Sequence, residues 1–208
     1  MGISVVCILA GLVYTFMPPL AQQAFVELAG ALPSDTAAMF REPIGDWHRL
    51  GLVPVFTSLF VHSSWLHMAG NLVYLWVFGL AVERRAGSLR FALLFLLGGA
   101  LAHVVVALRI PQLETPVIGA SGAVSAVVGA YLVLFPSRRI GLYLPLGLYL
   151  QFARVPALLV IGSWFTLQLV YTAFGPITGA EAWWTHLAGF AMGIVLALLA
   201  RALALFRF

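Results

Sequence analysis

Charged side chains are scarce in this sequence: only 9% of its 208 residues are Asp, Glu, Lys or Arg, whereas an average soluble domain has about 25%. Lysine is absent, and the 11 basic residues are all arginines scattered along the chain. So few charges cannot cover a water-facing surface, and scattered arginines do not form the basic tract that nucleic acid binding requires. We therefore expect a membrane protein that binds no nucleic acid.

Metal-ligating and ion-carrying side chains are also scarce. The single cysteine, Cys7, lies in an apolar stretch, which excludes an intramolecular disulfide and a cysteine-based metal site. His62 and His67 are five residues apart with no acid between them, unlike the His-Glu-x-x-His pattern of zinc proteases. No Asp or Glu lies in the middle of an apolar block, which disfavours a transporter or channel. The sequence predicts no metal and no cofactor.

Hydrophobic residues make up 62% of the chain and fall into six blocks, each near the roughly 20 residues needed to cross a bilayer. The blocks are Gly2 to Leu20, Trp65 to Val82, Phe91 to Leu108, Val117 to Phe135, Val155 to Phe174 and Ala182 to Ala200. We therefore expect an all-α membrane protein, a six-transmembrane-helix bundle that forms a single domain over residues 1–208.

The first block and two connections need separate predictions. The first block has no Arg or Lys before it, so it lacks the charged region of a signal peptide and is expected to be a retained span. The apolar stretch Ile140 to Phe152 has only 13 residues and contains Pro145, so we expect a connection at the membrane surface. The long connection Ala21 to Ser64 mixes prolines with apolar runs, which predicts short amphipathic helices in the outer interface.

Arginine is distributed unevenly between the two sides that these spans define. Eight arginines lie in the even-numbered connections and the C-terminus, and three lie in the odd-numbered connections. The positive-inside rule then places both termini and the even connections in the cytoplasm. We expect an integral membrane protein of a prokaryotic inner membrane, surrounded by lipid, with its odd connections facing out.

Four polar side chains lie at similar depths in different spans. At about 1.5 Å per residue, His67, Asn71, Ser121 and His186 all lie within roughly 9 Å of the outer ends of their spans. Ser121 alone, among Gly119, Gly122 and other small residues, is typical of a helix-packing serine. Unrelated packing residues have no reason to share one layer on three spans, so the shared depth indicates a functional site.

The residue types in this layer fit nucleophilic catalysis. A serine hydroxyl attacks only when a neighbouring base takes its proton, and the oxyanion that results needs fixed hydrogen-bond donors. His67 and Asn71 are i and i+4 on one helix face. Gly189 and Gly193 follow His186 and would let the sixth span approach the Gly-rich fourth. We predict Ser121 as nucleophile and His186 as base, with His67, Asn71 and the Ser121 amide as oxyanion donors. His103 has no partner in such a pattern and is interpreted as a hydrogen-bonded helix-contact histidine.

Four sequence segments resemble those of the rhomboid intramembrane serine proteases. They are "FVHSSWLHMAGN" from Phe60, "FGLAVERRAG" from Phe78, "GASGAVSAVVGAY" from Gly119 and "HLAGFAMG" from His186, in the family's order. The resemblance implies a six-helix bundle whose Ser-His dyad cleaves transmembrane protein substrates near the outer surface. It implies the same roles for Ser121, His186, His67 and Asn71, and supporting roles for His62, Gly119 and Gly122.

The sequence departs from the family pattern at two places. Some members have an aromatic residue four positions after the serine that stacks on the catalytic imidazole, and Ser125 stands there. Either another ring orients His186 or its orientation is looser. Trp47 and Arg49 do not align with the family's outer-loop Trp-Arg pair.

The alternative function is a non-proteolytic rhomboid-like protein that binds or escorts membrane helices. The sequence indicates no particular oligomeric state.

Overall fold

The computed structural model describes residues 2–40, 52–146, 149–175 and 180–203, and these residues are mostly helical. The helices are α1 (Gly2–Phe16), α2 (Pro19–Ala29), α3 (Pro33–Ala38), α4 (Leu52–Thr57), α5 (Trp65–Tyr74), α6 (Leu80–Ala86), α7 (Ser88–Arg109), α8 (Ser121–Leu134), α9 (Ala157–Phe174) and α10 (Ala180–Ala202). A 3₁₀ turn covers Ser58–Phe60, a π-helical turn covers Leu75–Gly79, and the two strands are β1 (Arg139–Leu146) and β2 (Tyr149–Pro156).

Four of the six predicted spans are helices long and apolar enough to cross a membrane. They are the continuous helix Trp65–Ala86, which contains the π-helical turn, and α7, α9 and most of α10. The first and fourth predicted spans are shorter apolar helices, α1 with 15 residues and α8 with 14. The helical prediction is therefore confirmed for these blocks, whereas by length alone only four helices qualify as spans among the described residues.

The first predicted span ends earlier than expected. Helix α1 stops at Phe16, and α2 begins at Pro19, where a proline occupies the first helical turn. Proline cannot donate a backbone hydrogen bond, so it is tolerated at a helix start and interrupts a helix elsewhere. Short helices in the long connection are confirmed by α2, α3 and α4. Trp47 and Arg49 lie outside the described residues.

Helix α8, which corresponds to the fourth predicted span, also starts later than the apolar block Val117 to Phe135. Val117 forms an isolated antiparallel bridge with Ala31, and the Gly119 N–H donates to the Ser58 carbonyl at 2.9 Å. Gly119 has a φ of 119°, a backbone conformation that side-chain-bearing residues rarely adopt. The helix therefore begins at Ser121. The depth of Ser121 estimated as helical rise from Val117 was therefore wrong, because the residues before Ser121 are not helical.

Small residues bring α8 against its neighbours at the centre of the bundle. A Cβ added at Gly189 would overlap the Gly122 carbonyl, and one at Gly193 would overlap the Ala126 carbonyl. On the other side of α8, Gly98 of α7 lies directly against Ala126. The predicted close approach of the sixth span, α10, to the fourth span, α8, is confirmed. Side chains at Gly189 and Gly193 would force the two backbones apart.

The strands β1 and β2 are antiparallel, with pairs running from Arg139 with Pro156 to Leu146 with Tyr149. The rings of Tyr143 and Phe152 contact each other across the strands, with centroids 5.3 Å apart. Ile140 to Phe152 is thus a connection and not a helical span. The all-α prediction is wrong for this segment, because Pro145 and Gly141 disfavour a helix and the cross-strand Tyr143–Phe152 pair favours a sheet.

Candidate active site

A cavity of about 490 Å³ opens between α5, α8, α9 and α10, and the chain segment before α8 completes its wall. All four side chains that the sequence predicted in one layer line this cavity: His67, Asn71, Ser121 and His186. They come from three helices that are distant in the sequence. The structure therefore brings these four residues to one place.

Ser121 is the first residue of α8, at the end of the helix where backbone N–H groups lack intrahelical acceptors. The segment before it is fixed by the Gly119 N–H bond to Ser58 and by the Ala120 N–H, which donates to Nε2 of His62 at 3.3 Å. This places the Ser121 hydroxyl and amide at the positive end of the helix dipole, where negative charge is stabilised.

His186 is held on one side by an amide and on others by aromatic rings. Its Nδ1 lies 3.0 Å from Oε1 of Gln168 on α9. The Trp164 ring centroid is 6.1 Å from the imidazole centroid, and the Trp183 ring meets it edge-on at 6.2 Å. These contacts supply the orientation that Ser125 does not. Ser125 instead donates its hydroxyl to the Ser121 carbonyl at 2.7 Å.

His67 and Asn71 extend from one face of α5 toward the cavity. The His67 Nδ1 lies 3.3 Å from the Ser63 hydroxyl, and the ring lies so close to Gly119 that a Cβ there would be 2.7 Å from it. The Asn71 side chain is buried, and its Nδ2 has no hydrogen-bond partner among the described residues. Asn71 also lines the cavity, and a buried amide donor without a partner is costly unless another group comes to accept from it.

His62 lies outside the cavity and supports the segment that precedes Ser121. Its Nδ1 contacts the Phe60 carbonyl at 3.3 Å, so that nitrogen carries the proton, and Nε2 accepts from Ala120. Burial, and to a smaller extent repulsion from His67, lowers the pKa of His62 to about 4. A neutral ring is required here, because a protonated Nε2 would face the Ala120 N–H.

Gly122, which was also predicted to support the site, serves helix packing, and His103 lies away from the cavity. Gly122 lies beneath Thr185 and Gly189, and a Cβ at Gly122 would approach the Thr185 methyl group to 2.7 Å. His103 is buried, with Nε2 3.2 Å from the Ser58 hydroxyl, which confirms the hydrogen-bonded helix-contact interpretation. Within the part of the chain that is described, no group of three His, Cys, Asp or Glu side chains could hold a metal ion.

Gln168 was missed by the sequence reasoning. It is an amide inside an apolar span, which is the same signal that selected Asn71, but it lies on the fifth block, away from the recognised motifs. Only the fold shows that α9 brings it against His186. Trp164 was missed for a different reason, since tryptophan is common near span ends and carries little functional signal by itself.

Comparison with known proteins agrees with this architecture. The rhomboid domain model matches residues 46–203. The chain is 31% identical over 140 residues to the rhomboid protein YdcA of Bacillus subtilis, covering 62% of this chain and 66% of that protein. It is 37% identical over 95 residues to Rhomboid protease GluP of Bacillus subtilis, covering 46% of this chain and 17% of that protein.

A eukaryotic relative extends the comparison. Rhomboid protein 1, mitochondrial, of Saccharomyces cerevisiae is 28% identical over 152 residues, covering 69% of this chain and 40% of that protein. The chain thus spans less than two thirds of the length of these three relatives. The domain match nevertheless covers most of the chain, and the chain therefore belongs to the rhomboid family.

Proposed function

We propose that this protein is an intramembrane serine protease that cleaves transmembrane protein substrates with a Ser121-His186 dyad. The observation that carries the proposal is the cavity shared by Ser121, at the start of α8, and His186, whose Nδ1 contacts Gln168. Membership of the rhomboid family and the protease name of GluP support the same reaction. Four long apolar helices support an integral membrane protein.

The proposed reaction begins with proton transfer. With Nδ1 protonated and donating to Gln168, His186 presents an unprotonated Nε2 as the base for the Ser121 hydroxyl. The Ser121 oxygen then attacks the substrate carbonyl carbon, and the carbonyl oxygen becomes an oxyanion. His186 returns the proton to the leaving amine, and water repeats the sequence on the acyl-enzyme.

The oxyanion is proposed to bind three donors: the His67 ring, the Asn71 amide and the backbone N–H of Ser121. The unpaired Nδ2 of Asn71 gives the proposal its sharpest support, because the transition state would supply the acceptor that the described residues do not. Removal of one such donor typically lowers kcat by about 10²- to 10³-fold.

We propose that α1 and α8 complete a bundle of six spans, with the cavity opening toward the outer face and both termini cytoplasmic. A substrate helix must unwind locally at the cavity, because a helical peptide bond is already hydrogen-bonded and its carbonyl is shielded. Water must reach the same cavity, where the serine, threonine and histidine side chains in its mostly apolar wall could bind it.

The test uses a single-span model substrate and purified protein, with the cut mapped by mass spectrometry. Ser121→Ala and His186→Ala are expected to abolish cleavage and labelling by a serine-directed phosphonate. Ser163→Ala, on the exposed face of α9, is the control and is expected to behave as wild type, because its hydroxyl bonds only within its own helix. Cleavage by Ser121→Ala at the wild-type rate would refute the dyad. A protein that binds the substrate helix without cutting it would be the non-proteolytic alternative.

A further inference from the structure

We infer that Gln168 is a positioning residue that fixes the tautomer and ring orientation of His186. The inference rests on the proposed function, since it gives the dyad a third, uncharged member. It depends on one contact, the 3.0 Å distance from Gln168 Oε1 to His186 Nδ1, and on the environment of that contact.

The burial of Gln168 favours its hydrogen bond with His186. Gln168 is only 5% exposed although it lies in an apolar helix, α9, most of whose residues are not buried. A buried side-chain amide in such a helix is costly unless it is hydrogen-bonded. Its partner is the imidazole, and the Trp164 and Trp183 rings lie around the same imidazole. The imidazole therefore lies between a tilted Trp164 ring and an edge-on Trp183 ring, and Gln168 supplies its hydrogen bond.

The chemistry gives this contact a consequence at the reacting atom. A carbonyl oxygen only accepts hydrogen bonds, so the Nδ1 facing it must carry the proton, and Nε2 then keeps the lone pair that takes the serine proton. Without an acceptor at Nδ1, the other tautomer becomes available, and that tautomer cannot act as base. A neutral amide performs this task without placing a carboxylate inside the membrane, where charge is expensive.

The test compares two nearly isosteric substitutions in the cleavage assay. Gln168→Leu removes the acceptor and is expected to lower kcat about tenfold, the effect of losing one hydrogen bond, with KM unchanged. Gln168→Glu keeps an acceptor oxygen and is expected to retain kcat at alkaline pH, with the acidic limb of the pH profile displaced to higher pH. Ser163→Ala on the same helix is the matched control. If Gln168→Leu does not fold, Gln168→Met is used instead.

The outcomes separate this inference from the proposed function. If Ser121→Ala is inactive while Gln168→Leu matches Ser163→Ala, the dyad stands and the positioning role is refuted. If Gln168→Leu and Gln168→Glu are equally impaired with the same pH profile, Gln168 is merely structural, which also refutes the role. Cleavage by Ser121→Ala would instead refute the proposed function itself, whatever Gln168 does.

A second cavity, at the other end of the bundle, carries an independent proposal. Four arginines line a space of about 430 Å³: Arg84 and Arg85 at the end of α6, Arg138 between α8 and β1, and Arg139 at the start of β1. Its described lining includes no acidic side chain, and Tyr131 and Phe135 form part of its wall. Four guanidinium groups around one space create a positive potential that attracts an anion.

We propose that this arginine cavity binds a phosphate-bearing anion, as in the headgroup of an anionic phospholipid. The backbone of the turn that carries Arg138 is fixed by two hydrogen bonds, from its N–H to Phe135 at 3.2 Å and from the Ala157 N–H to its carbonyl at 2.8 Å. The turn is therefore set before binding. Guanidinium groups match phosphate oxygens in geometry as well as charge.

The test measures the unfolding temperature in neutral detergent with added phosphatidylglycerol, phosphatidylcholine or inorganic phosphate. Phosphatidylglycerol is expected to raise it by about 4 °C or more, and phosphatidylcholine is not. The rise should disappear in Arg138→Gln/Arg139→Gln and persist in Arg90→Gln/Arg154→Gln, which loses the same charge outside the cavity. An equal rise with inorganic phosphate identifies free phosphate as the anion. Equal loss in both double variants, or no rise at all, overturns the proposal.

Discussion

Gly193 offers the most direct test of how the bundle positions the proposed Ser121-His186 dyad. It lies two turns beyond His186 on α10 and does not line the cavity. A Cβ at this position would overlap the Ala126 carbonyl of α8, a backbone atom that no rotamer change can move. Gly193→Ala therefore requires the two helices to separate.

The magnitude follows from the contact distance. Ordinary van der Waals contact for a Cβ begins near 3.4 Å, so the helices must move apart by roughly 1 Å or more, and overpacking of this kind costs about 1–3 kcal/mol. His186 moves with α10 and Ser121 with α8. A displacement of about 1 Å at a reacting pair costs on the order of 10²-fold in rate. We expect kcat to fall by about that factor and the unfolding temperature to fall by several degrees.

Gly162→Ala is the matched control, because a Cβ at Gly162 meets nothing within 4 Å. The same chemical change on α9 should leave cleavage intact and slightly favour the helix, by up to about 1 kcal/mol. Both variants are assayed for cleavage of a single-span substrate and for thermal unfolding in detergent. If Gly193→Ala cleaves and unfolds as Gly162→Ala does, close approach of α8 and α10 does not position the dyad.

The remaining predictions concern single side chains. Because the pKa of folded His62 is about 4 and unfolded histidine titrates near 6.5, the unfolded state binds more protons between these values. Stability should fall as pH drops from 6.5 toward 4, and His62→Gln should make that fall shallower in thermal unfolding. Ser125→Ala removes the bond to the Ser121 carbonyl and should cost less than about tenfold in cleavage rate, far less than Ser121→Ala; a complete loss would contradict this. Cys7 is 0% exposed and should resist alkylation until the protein unfolds, which mass spectrometry can follow.

Much of the fold was predictable, because apolar blocks and small-residue patterns act locally. The second, third, fifth and sixth blocks became helices within a few residues of their predicted bounds. The close contact of α10 with α8 followed from Gly189 and Gly193 alone. These features depend on hydropathy and on the absence of a side chain, both of which are read directly from the sequence.

What could not be predicted depends on distant parts of the chain meeting. The start of α8 at Ser121 is set by Ser58 and Ala31, which bond to Gly119 and Val117 from the long connection. The contact of Gln168 with His186 depends on how α9 rotates against α10. Hydropathy is uniform around such a helix and does not reveal which face meets a neighbour.

The hairpin of β1 and β2 limits how deep the adjoining end of α8 can lie in a bilayer. In a two-stranded sheet each strand has an outer edge whose N–H and C=O groups need water or lipid headgroups, so it cannot sink into hydrocarbon. It is joined to α8 by a four-residue turn, and α8, at 14 residues, is about 21 Å long in a hydrocarbon layer of about 30 Å. In the proposed bundle of six spans, the C-terminal end of α8 is held at one membrane surface by the hairpin, and the helix is too short to reach the other surface. In that proposed arrangement Ser121 would lie below the opposite surface by the missing length, and water would have to reach it through the cavity.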